Sequence, residues 1–346
     1  MRASLMILVL CCAFVLTAAP ANAALQPDAA APTVAFDHGG DIYITDFTGD
    51  PVAITTGDAY DIMPLWSPDG SEVAFLSTPS YTDWEDHRLH IITIETGEVR
   101  ALGEANLSSE ADLAWSPDGR SIAVALSGLF IIDAQSGDTR RLTTNTSMRA
   151  PAWTADGERI VFQSSGELYV IDADGRNLRL LGNPAPPYRW DHVLAPATDE
   201  IAYLWADENR PGLHRVNIDG GAAATVAEMP GYTMFRPLWS PDGRMIAFTI
   251  WGESGSDVEV LGGSDVYVVD RNGSNLRGVT GDAQDGLVGW TPDGTRILYW
   301  AGEPGGASGA FYMVDVSDGT SSLLSGPELN TMCSYNNCSH ISIRPG

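Results

Sequence analysis

Short runs of β-branched and aromatic residues alternate with polar turns along most of the chain. Five turns share a unit that begins with Trp and ends with Asp-Gly, and its copies begin at Trp66, Trp115, Trp153, Trp239 and Trp290. An apolar run follows each copy, as residues 73–75 follow the first. The Asp side chain is suited to capping such a turn, and Gly adopts a backbone conformation that other residues avoid. The pattern therefore predicts a strand, a tight turn and a second strand, repeated along the chain.

A second repeated pattern counts the units. It is a strand that ends in Asp, or in a substitute, before a turn that contains Gly; it covers residues 42–46, 91–94, 130–133, 169–172, 213–216, 267–270 and 311–315. Residues 194–197 stand where a degenerate Trp unit is expected, and residues 340–346 supply the strand and turn that are missing before Val34. We therefore predict an all-β fold, a β-propeller of seven four-stranded blades whose first blade is completed by the C-terminal strand. Six blades, with one irregular set of strands, is the alternative.

Three segments carry a resemblance to a known family: Pro237-Leu238-Trp239, Tyr267-Val268-Val269-Asp270 and Arg141-Leu142-Thr143. They resemble the WD40-like propeller repeat found in TolB and in the propeller of the dipeptidyl peptidase IV group. The resemblance covers nearly all of the chain after its leader and implies the propeller fold. We expect neither the α/β domain of TolB-like proteins before Thr33 nor the hydrolase domain of the peptidases after Gly346. The sequence also has no Gly-x-Ser-x-Gly elbow.

The first 23 residues have the pattern of an export signal. A short basic start is followed by an apolar core over residues 5–16 and by the small-residue site Ala21-Asn22-Ala23. We predict a signal peptide over 1–23, a flexible lead-in over 24–32 and a single propeller domain over 33–346. The apolar core is too short to span a membrane comfortably, and no later stretch is apolar enough to span one. The predicted location is the periplasm or the extracellular space.

The charge of the chain narrows the classes of partner. The formal net charge is −26, and every basic residue is Arg because the chain contains no Lys. Such an acidic surface repels nucleic acid and anionic membranes. Two cysteines leave with the signal peptide, and the remaining pair, Cys333 and Cys338, is predicted to form a disulfide in an oxidising compartment. No cofactor and no metal site is predicted.

The loop lengths predict two different faces of the propeller. The turns after Trp and the turns that contain Gly are short and form one face, which we call the short-turn face. The loops between second and third strands and the connections between blades form the other, which we call the long-loop face. The candidate binding residues on the long-loop face are Tyr81, Trp84, Tyr188, Trp190, Trp205 and Trp251. Aromatic side chains beside acidic ones suit a polypeptide, a sugar or a cationic ligand; alternatively, they cover the edges of the blades.

A second candidate site lies where the innermost strands begin, around the central channel. The residues expected there are Arg149, Arg189, His192, Arg236 and His340. The three arginines could bind a carboxylate through paired hydrogen bonds. The alternative is that they pair with acids at equivalent positions of other blades, namely Asp61, Glu110, Asp112 or Asp285.

The sequence favours a binding protein over an enzyme. No nucleophile, base and orienting acid occur at a recognisable spacing, so no catalytic residue is predicted. The first hypothesis is an exported, non-enzymatic propeller that binds a protein or peptide through its long-loop face, with carbohydrate as a further ligand class. The alternative is a propeller enzyme, such as a metal-assisted polysaccharide lyase or hydrolase, that uses the arginines and histidines of the channel.

Overall fold

Seven four-stranded antiparallel sheets make up the computed structural model of the chain. It describes residues 32–80, 86–109, 111–144, 148–182, 192–196, 198–205, 212–252, 264–281, 285–302, 309–324 and 341–346. Within these ranges there is no helix, and hence none that could span a membrane. The sheets are the blades of a ring, so the prediction of an all-β propeller with seven blades is confirmed.

The strands of each blade are given from the innermost to the outermost. Blade 1 contains β28 (Ile341–Ile343), β1 (Val34–His38), β2 (Asp41–Thr45) and β3 (Val52–Ala53). Blade 2 contains β4 (Tyr60–Trp66), β5 (Glu72–Thr78), β6 (His87–Thr93) and β7 (Val99–Leu107). Blade 3 contains β8 (Asp112–Trp115), β9 (Ser121–Ala125), β10 (Leu129–Asp133) and β11 (Thr139–Arg141). Blade 4 contains β12 (Met148–Trp153), β13 (Arg159–Ser164), β14 (Glu167–Asp172) and β15 (Arg179–Gly182).

The remaining three blades follow the same order. Blade 5 contains β16 (His192–Leu194), β17 (Glu200–Trp205), β18 (Gly212–Asn217) and β19 (Ala224–Ala227). Blade 6 contains β20 (Tyr232–Trp239), β21 (Met245–Gly252), β22 (Ser264–Asp270) and β23 (Arg277–Gly278). Blade 7 contains β24 (Asp285–Trp290), β25 (Arg296–Gly302), β26 (Gly309–Asp315) and β27 (Ser321–Leu323).

The C-terminal strand closes the ring, as predicted. β28 pairs with β1 so that Ile343 lies opposite Val34 and Ile341 opposite Phe36. The Pro-Gly at the end of the chain takes the place of a Trp-unit turn. Gly346 packs tightly on Pro292 of blade 7, so an added Cβ would lie 2.6 Å from the Cβ of that proline. Blade 1 is therefore assembled from the two ends of the folded chain.

The repeated Trp unit forms the same turn in five blades. In the first copy the Ser67 hydroxyl donates to Oδ1 of Asp69 at 2.7 Å, and the backbone N–H of Glu72 donates to the Ser67 hydroxyl at 3.0 Å. Ser or Thr donates to Asp in the same way in the other four copies. The Gly residues that end the units have φ between 66° and 71°, where a Cβ would be strained. The turn chemistry predicted from the unit is thus present.

The core lies between the blades. Each of the seven interfaces has its own apolar cluster, contributed by two neighbouring sheets. Six blades also place one aromatic or histidine pair across their second and third strands, with ring centroids 5.5 to 6.1 Å apart: Phe36–Tyr43, Phe75–His90, Phe162–Tyr169, Tyr203–His214, Phe248–Tyr267 and Tyr299–Tyr312. Such cross-strand pairs stabilise each sheet and fix its register.

Two kinds of hydrogen bond join neighbouring blades. In the first, which we call an indole link, Nε1 of a Trp donates to a backbone carbonyl of the preceding blade at 3.1 to 3.2 Å; the pairs are Trp115–Leu65, Trp153–Ala114, Trp239–Val193 and Trp290–Leu238. In the second, a guanidinium link, an Arg on an outermost strand donates to a backbone carbonyl of the following blade; the pairs are Arg100–Ala134, Arg140–Ala173, Arg179–Ile218 and Arg277–Val316. Leu194 occupies the Trp position of blade 5, so the interface of blades 4 and 5 has no indole link.

Candidate functional site

The described residues contain part of the predicted long-loop face. Innermost strands begin there and second strands end there, so Trp205 at the end of β17 and Trp251 near the end of β21 both lie on it. Tyr81, Trp84, Tyr188 and Trp190 lie outside the described residues, as do Cys333 and Cys338. The predicted signal peptide, residues 1–23, also lies outside them.

Trp251 is an exposed aromatic side chain on this face. Its side chain is 51% exposed, and its ring lies 6.4 Å from that of Phe235. The other large apolar side chains that are exposed among the described residues are aliphatic and lie on or beside outermost strands: Val99, Leu178, Leu180, Leu276 and Leu323. Trp251 therefore differs from them in both chemistry and position.

Trp205 belongs to an aromatic cluster at the end of blade 5. Its ring lies 6.3 Å from that of Tyr203 and 6.2 Å from that of His214, which itself stacks on Tyr203. Burial raises the pKa of Tyr203. Nδ1 of the buried His214 lies 3.3 Å from the Thr225 hydroxyl. Nε1 of Trp205, by contrast, is buried without a hydrogen-bond partner among the described residues.

Four of the innermost strands carry a β-bulge. In three of these bulges a residue with positive φ precedes a proline: Met63 (59°), Ala150 (47°) and Arg236 (50°). Such backbone is costly for a residue with a side chain, and it is found most often at functional sites. Arg236 is itself the strained residue and is exposed, whereas Arg149 directly precedes Ala150 and is partly buried. Arg189 and His340 lie outside the described residues.

The channel ends of blades 3, 4 and 5 are connected through Ala150. Its backbone N–H donates to Oδ2 of Asp112 at 2.8 Å. The backbone of Ala150 also lies beside the ring of His192, the first residue of β16. Burial lowers the pKa of His192 to about 4, and the backbone of Ala150 offsets part of this effect. His192 is therefore a neutral imidazole at physiological pH.

Acidic residues gather at the corresponding end of blades 1 and 2. Asp61 is buried, and its backbone N–H donates to the carbonyl of Gly40 at 2.8 Å. Burial, and next the charge of Asp61, raise the pKa of Asp41. In the part of the chain that the structure describes, no three His, Cys, Asp or Glu residues lie close enough together to bind a metal ion.

Sequence reasoning named Trp205, Trp251, Arg149, Arg236 and His192, and the structure describes all five on the long-loop side of the ring. It missed Gln163, a buried amide opposite Arg149 in the register of β12 and β13. Only the strand register reveals it, because a Gln in an apolar run resembles a solvent-facing residue.

Comparison with known proteins agrees with this geometry. Residues 41–167 match the family model described as the TolB beta propeller domain. These residues, somewhat more than a third of the chain, are thus similar to the TolB-type propeller. The same blade geometry continues around the rest of the ring, so the predicted resemblance to TolB-type propellers is confirmed.

Two relatives resemble this chain in sequence. The uncharacterized peptidase YuxL of Bacillus subtilis (strain 168) is 29% identical over 157 residues, which are 41% of this chain and 23% of YuxL. The chain thus spans less than a quarter of the length of that peptidase. The uncharacterized protein Atu1656 of Agrobacterium fabrum (strain C58 / ATCC 33970) is 26% identical over 263 residues, which are 68% of this chain and 83% of that protein.

Two solved structures resemble it in fold. An oligogalacturonate lyase in complex with manganese superposes with a TM-score of 0.61 and 13% identity, covering 85% of this chain and 84% of the lyase. TolB from Acinetobacter baumannii superposes with a TM-score of 0.51 and 14% identity, covering 91% of this chain and 66% of that one. One of these neighbours is named as an enzyme and the other is not, so the shared fold is compatible with either role.

Proposed function

We propose that this chain is an exported, non-enzymatic propeller that binds a protein or peptide partner through its long-loop face. The observation that carries the proposal is the half-exposed indole of Trp251 beside Phe235. Exposing a tryptophan to water is costly, and tryptophan is enriched among the residues that contribute most to binding energy at protein interfaces. Its place on the face with the longest loops, on a rigid ring, supports a role in recognition.

Export and the disulfide are parts of the same proposal. The leader over residues 1–23 supports cleavage after Ala23, and an oxidising compartment favours a bond between Cys333 and Cys338. The intact mass of the exported protein checks both, because it should begin at Ala24 and increase by about 2 Da on reduction. A protein that retains its leader, or whose mass does not change on reduction, contradicts the corresponding part.

The binding role is tested with a substitution on each face. The exported protein is immobilised and exposed to envelope extract, and bound proteins are fixed with a reagent that activates carboxylates, because the chain has no Lys. Trp251→Ser should weaken binding of the captured partner by at least about tenfold, as expected for an interface tryptophan. The matched control is Leu276→Ser, which removes an exposed apolar side chain beside an outermost strand.

Both variants should keep the melting temperature of the parent, since both side chains are exposed. Retention of full affinity by Trp251→Ser would refute a binding face centred on this residue. Equal losses in the two variants would indicate nonspecific hydrophobic capture, which also contradicts the proposal.

One observation favours the second candidate, a propeller enzyme. The imidazole of His192 lies at the channel end beside the strained Ala150, and backbone strain of this kind is found most often at functional sites. A polysaccharide lyase or hydrolase of the metal-assisted kind would need ligands beyond those found together in the described ranges. Two measurements test this candidate: the metal content of the protein and its turnover of a panel of polysaccharides. Bound metal, or turnover that is lost in His192→Ala and His340→Ala, would support this candidate over the first.

A further inference from the structure

Three side chains on the strands of blades 4 and 5 have buried polar atoms without a hydrogen-bond partner among the described residues; the hydroxyl of Thr198, in a short turn of blade 5, is a fourth such group. Those on the strands are Oε1 of Gln163, Nε1 of Trp205 and the ring nitrogens of His192, although the backbone of Ala150 lies close enough to the ring to act on it as a hydrogen-bond partner. Gln163 is only 8% exposed. Leaving a buried polar group unsatisfied costs about 1 to 3 kcal/mol, so each such group needs an explanation. Three together in one region indicate a common cause.

All three side chains lie in the same interface. Gln163 lies two residues after Val161, and His192 two residues before Leu194; residues two apart on a strand share a face. Val161, Leu194 and Trp205 belong to the apolar cluster that joins blades 4 and 5. Each of the three polar residues is also close to the end of its strand on the long-loop face. They therefore gather at the long-loop end of this interface.

The interface is held firmly at its opposite end. Arg159 of blade 4 forms ion pairs with Asp219 at 2.7 Å and with Asp199 at 3.1 Å, both in blade 5. The guanidinium link from Arg179 reaches the same blade. Nearer the channel, where other interfaces have an indole link, this one has Leu194. The two blades are thus joined at the short-turn face, while the polar atoms of Gln163, His192 and Trp205 named above lie at the long-loop face.

Four of the five tryptophans of the repeated unit have a partner for the indole N–H, and Trp66 is the exception. Trp115, Trp153, Trp239 and Trp290 all donate to a carbonyl. Trp205 is not part of the repeated Trp unit, so no equivalent position in another blade requires its indole. A Phe at this position would fill similar space without an unsatisfied donor, so the packing of the interface does not require the indole N–H.

We propose that the long-loop end of the interface between blades 4 and 5 binds an uncharged amide group of the bound partner. Nε1 of Trp205 donates to the amide oxygen, Oε1 of Gln163 accepts from the amide N–H, and His192 supplies one donor and one acceptor. The amide is a main-chain peptide group or the side chain of Asn or Gln. The inference rests on the proposed function, because it names the chemistry that the same face recognises.

The arrangement of donors and acceptors disfavours charged ligands. A carboxylate would place its oxygens against Oε1 of Gln163, and an ammonium group would place its protons against the indole N–H. The imidazole stays neutral well below physiological pH, because burial lowers the pKa of His192 to about 4. A neutral amide, whose oxygen accepts and whose N–H donates, suits the indole N–H of Trp205 and Oε1 of Gln163.

The test uses the exported protein labelled with ¹⁵N and follows the indole N–H resonance of Trp205, which is assigned by its loss in Trp205→Phe. The probe is N-methylacetamide, with acetate and a methyl hexopyranoside as comparison ligands. N-methylacetamide should shift the resonance saturably at tens to hundreds of millimolar, as expected for so small a ligand. Gln163→Leu should abolish the shift, while the control Gln135→Leu, an exposed residue on the short-turn face, should leave it unchanged.

The same variants have a second readout in the unliganded protein. Removing an unsatisfied buried group should raise the melting temperature by about 1 to 3 °C in Gln163→Leu and in Trp205→Phe. Each substitution should also weaken binding of the captured partner by about two- to tenfold. A gain in stability together with a loss of binding is not expected if these groups only stabilise the fold.

Two results would overturn the inference. The first is a lower melting temperature in both variants, which would mean that the groups stabilise the fold. The second is no saturable shift with N-methylacetamide; a shift with the glycoside or with acetate alone would instead assign a sugar or a carboxylate to the site. If Trp251→Ser still abolishes partner binding in that case, the proposed function stands and only this inference fails.

Discussion

The repeated tryptophan has two roles, and only one of them is visible in the sequence. Its apolar body ends the innermost strand in five blades, as the repeated unit predicts. Its N–H forms the indole link to the preceding blade in four of them. Trp66 is the exception, because its Nε1 has no partner among the described residues, although the Arg344 guanidinium lies 5.5 Å from its ring centroid.

This exception provides an internal control for the strength of the link. Trp115→Phe and Trp290→Phe should each lower the free energy of unfolding by about 1 kcal/mol more than Trp66→Phe does, since only the first two lose a hydrogen bond. Urea denaturation of the three variants measures the difference. Equal losses at all three positions would show that the indole link adds nothing beyond packing.

The candidate site was predictable where chemistry alone identifies a residue. Trp205, Trp251 and His192 could be named because exposed aromatics and rare histidines are informative residue types. Gln163 could not, because its meaning depends on a partner strand and on a neighbouring blade. Hydrogen-bond satisfaction is a property of the folded interface and leaves no mark in the local sequence.

Among the secondary-structure elements, the turns of the Trp unit stabilise the charged form of their Asp side chains as well as setting the geometry of the chain. Hydrogen bonds from the Ser or Thr hydroxyl, and next from the backbone, hold the pKa of four Asp residues below the usual value: Asp69, Asp118, Asp156 and Asp293. A carboxyl whose pKa is lower in the folded state stabilises the fold above its unfolded pKa, near 3.8, and loses this effect as the pH falls through the lowered value.

Asp69→Asn should therefore be less stable than the parent at pH 6, and the difference should shrink as the pH falls below about 4. Thermal unfolding measured from pH 6 down to pH 2.5 tests this. Asp50→Asn, an exposed residue outside the unit, is the control and should show a smaller effect at pH 6. A difference that grows at low pH would contradict the assigned cause.

The strands themselves were well predicted from the sequence, whereas the bulges were not. A residue before proline is normally extended, so Met63, Ala150 and Arg236 would be expected to continue a regular strand. Their positive φ instead shifts the register of the innermost strand against its neighbour. Because positive φ is costly for a residue with a side chain, such residues persist only where the surrounding structure holds them, and the local sequence does not reveal this.

At the scale of the whole molecule, blade 1 is joined differently from the others. It has neither an indole link nor a guanidinium link among the contacts described for its two interfaces. It depends on β28, on the hydrogen bond from the Trp66 backbone to the Ser342 hydroxyl at 3.2 Å, and on Gly346 against Pro292. The pairing of the C-terminal strand with β1 was predictable, because the first repeat lacks an innermost strand of its own.

Deleting residues 341–346 should lower the melting temperature by on the order of 5 to 10 °C, because β1 loses its pairing partner and the apolar cluster loses Ile341 and Ile343. The exposed strand edge should also promote self-association. Differential scanning calorimetry and light scattering measure the two effects. Leu323→Ser, on the exposed outermost strand of blade 7, is the control; an unchanged deletion variant would mean that closure contributes little.

The two kinds of link point in opposite directions around the ring. Each indole donates to the blade before it and each guanidinium to the blade after it. A unit of about 40 residues thus contains hydrogen-bond donors to the blades before and after it, and carbonyl acceptors for the links from both of them. Tandem duplication of the DNA that encodes one unit would create a new joint identical to the existing ones, so the number of blades can change during evolution without any new contact having to arise.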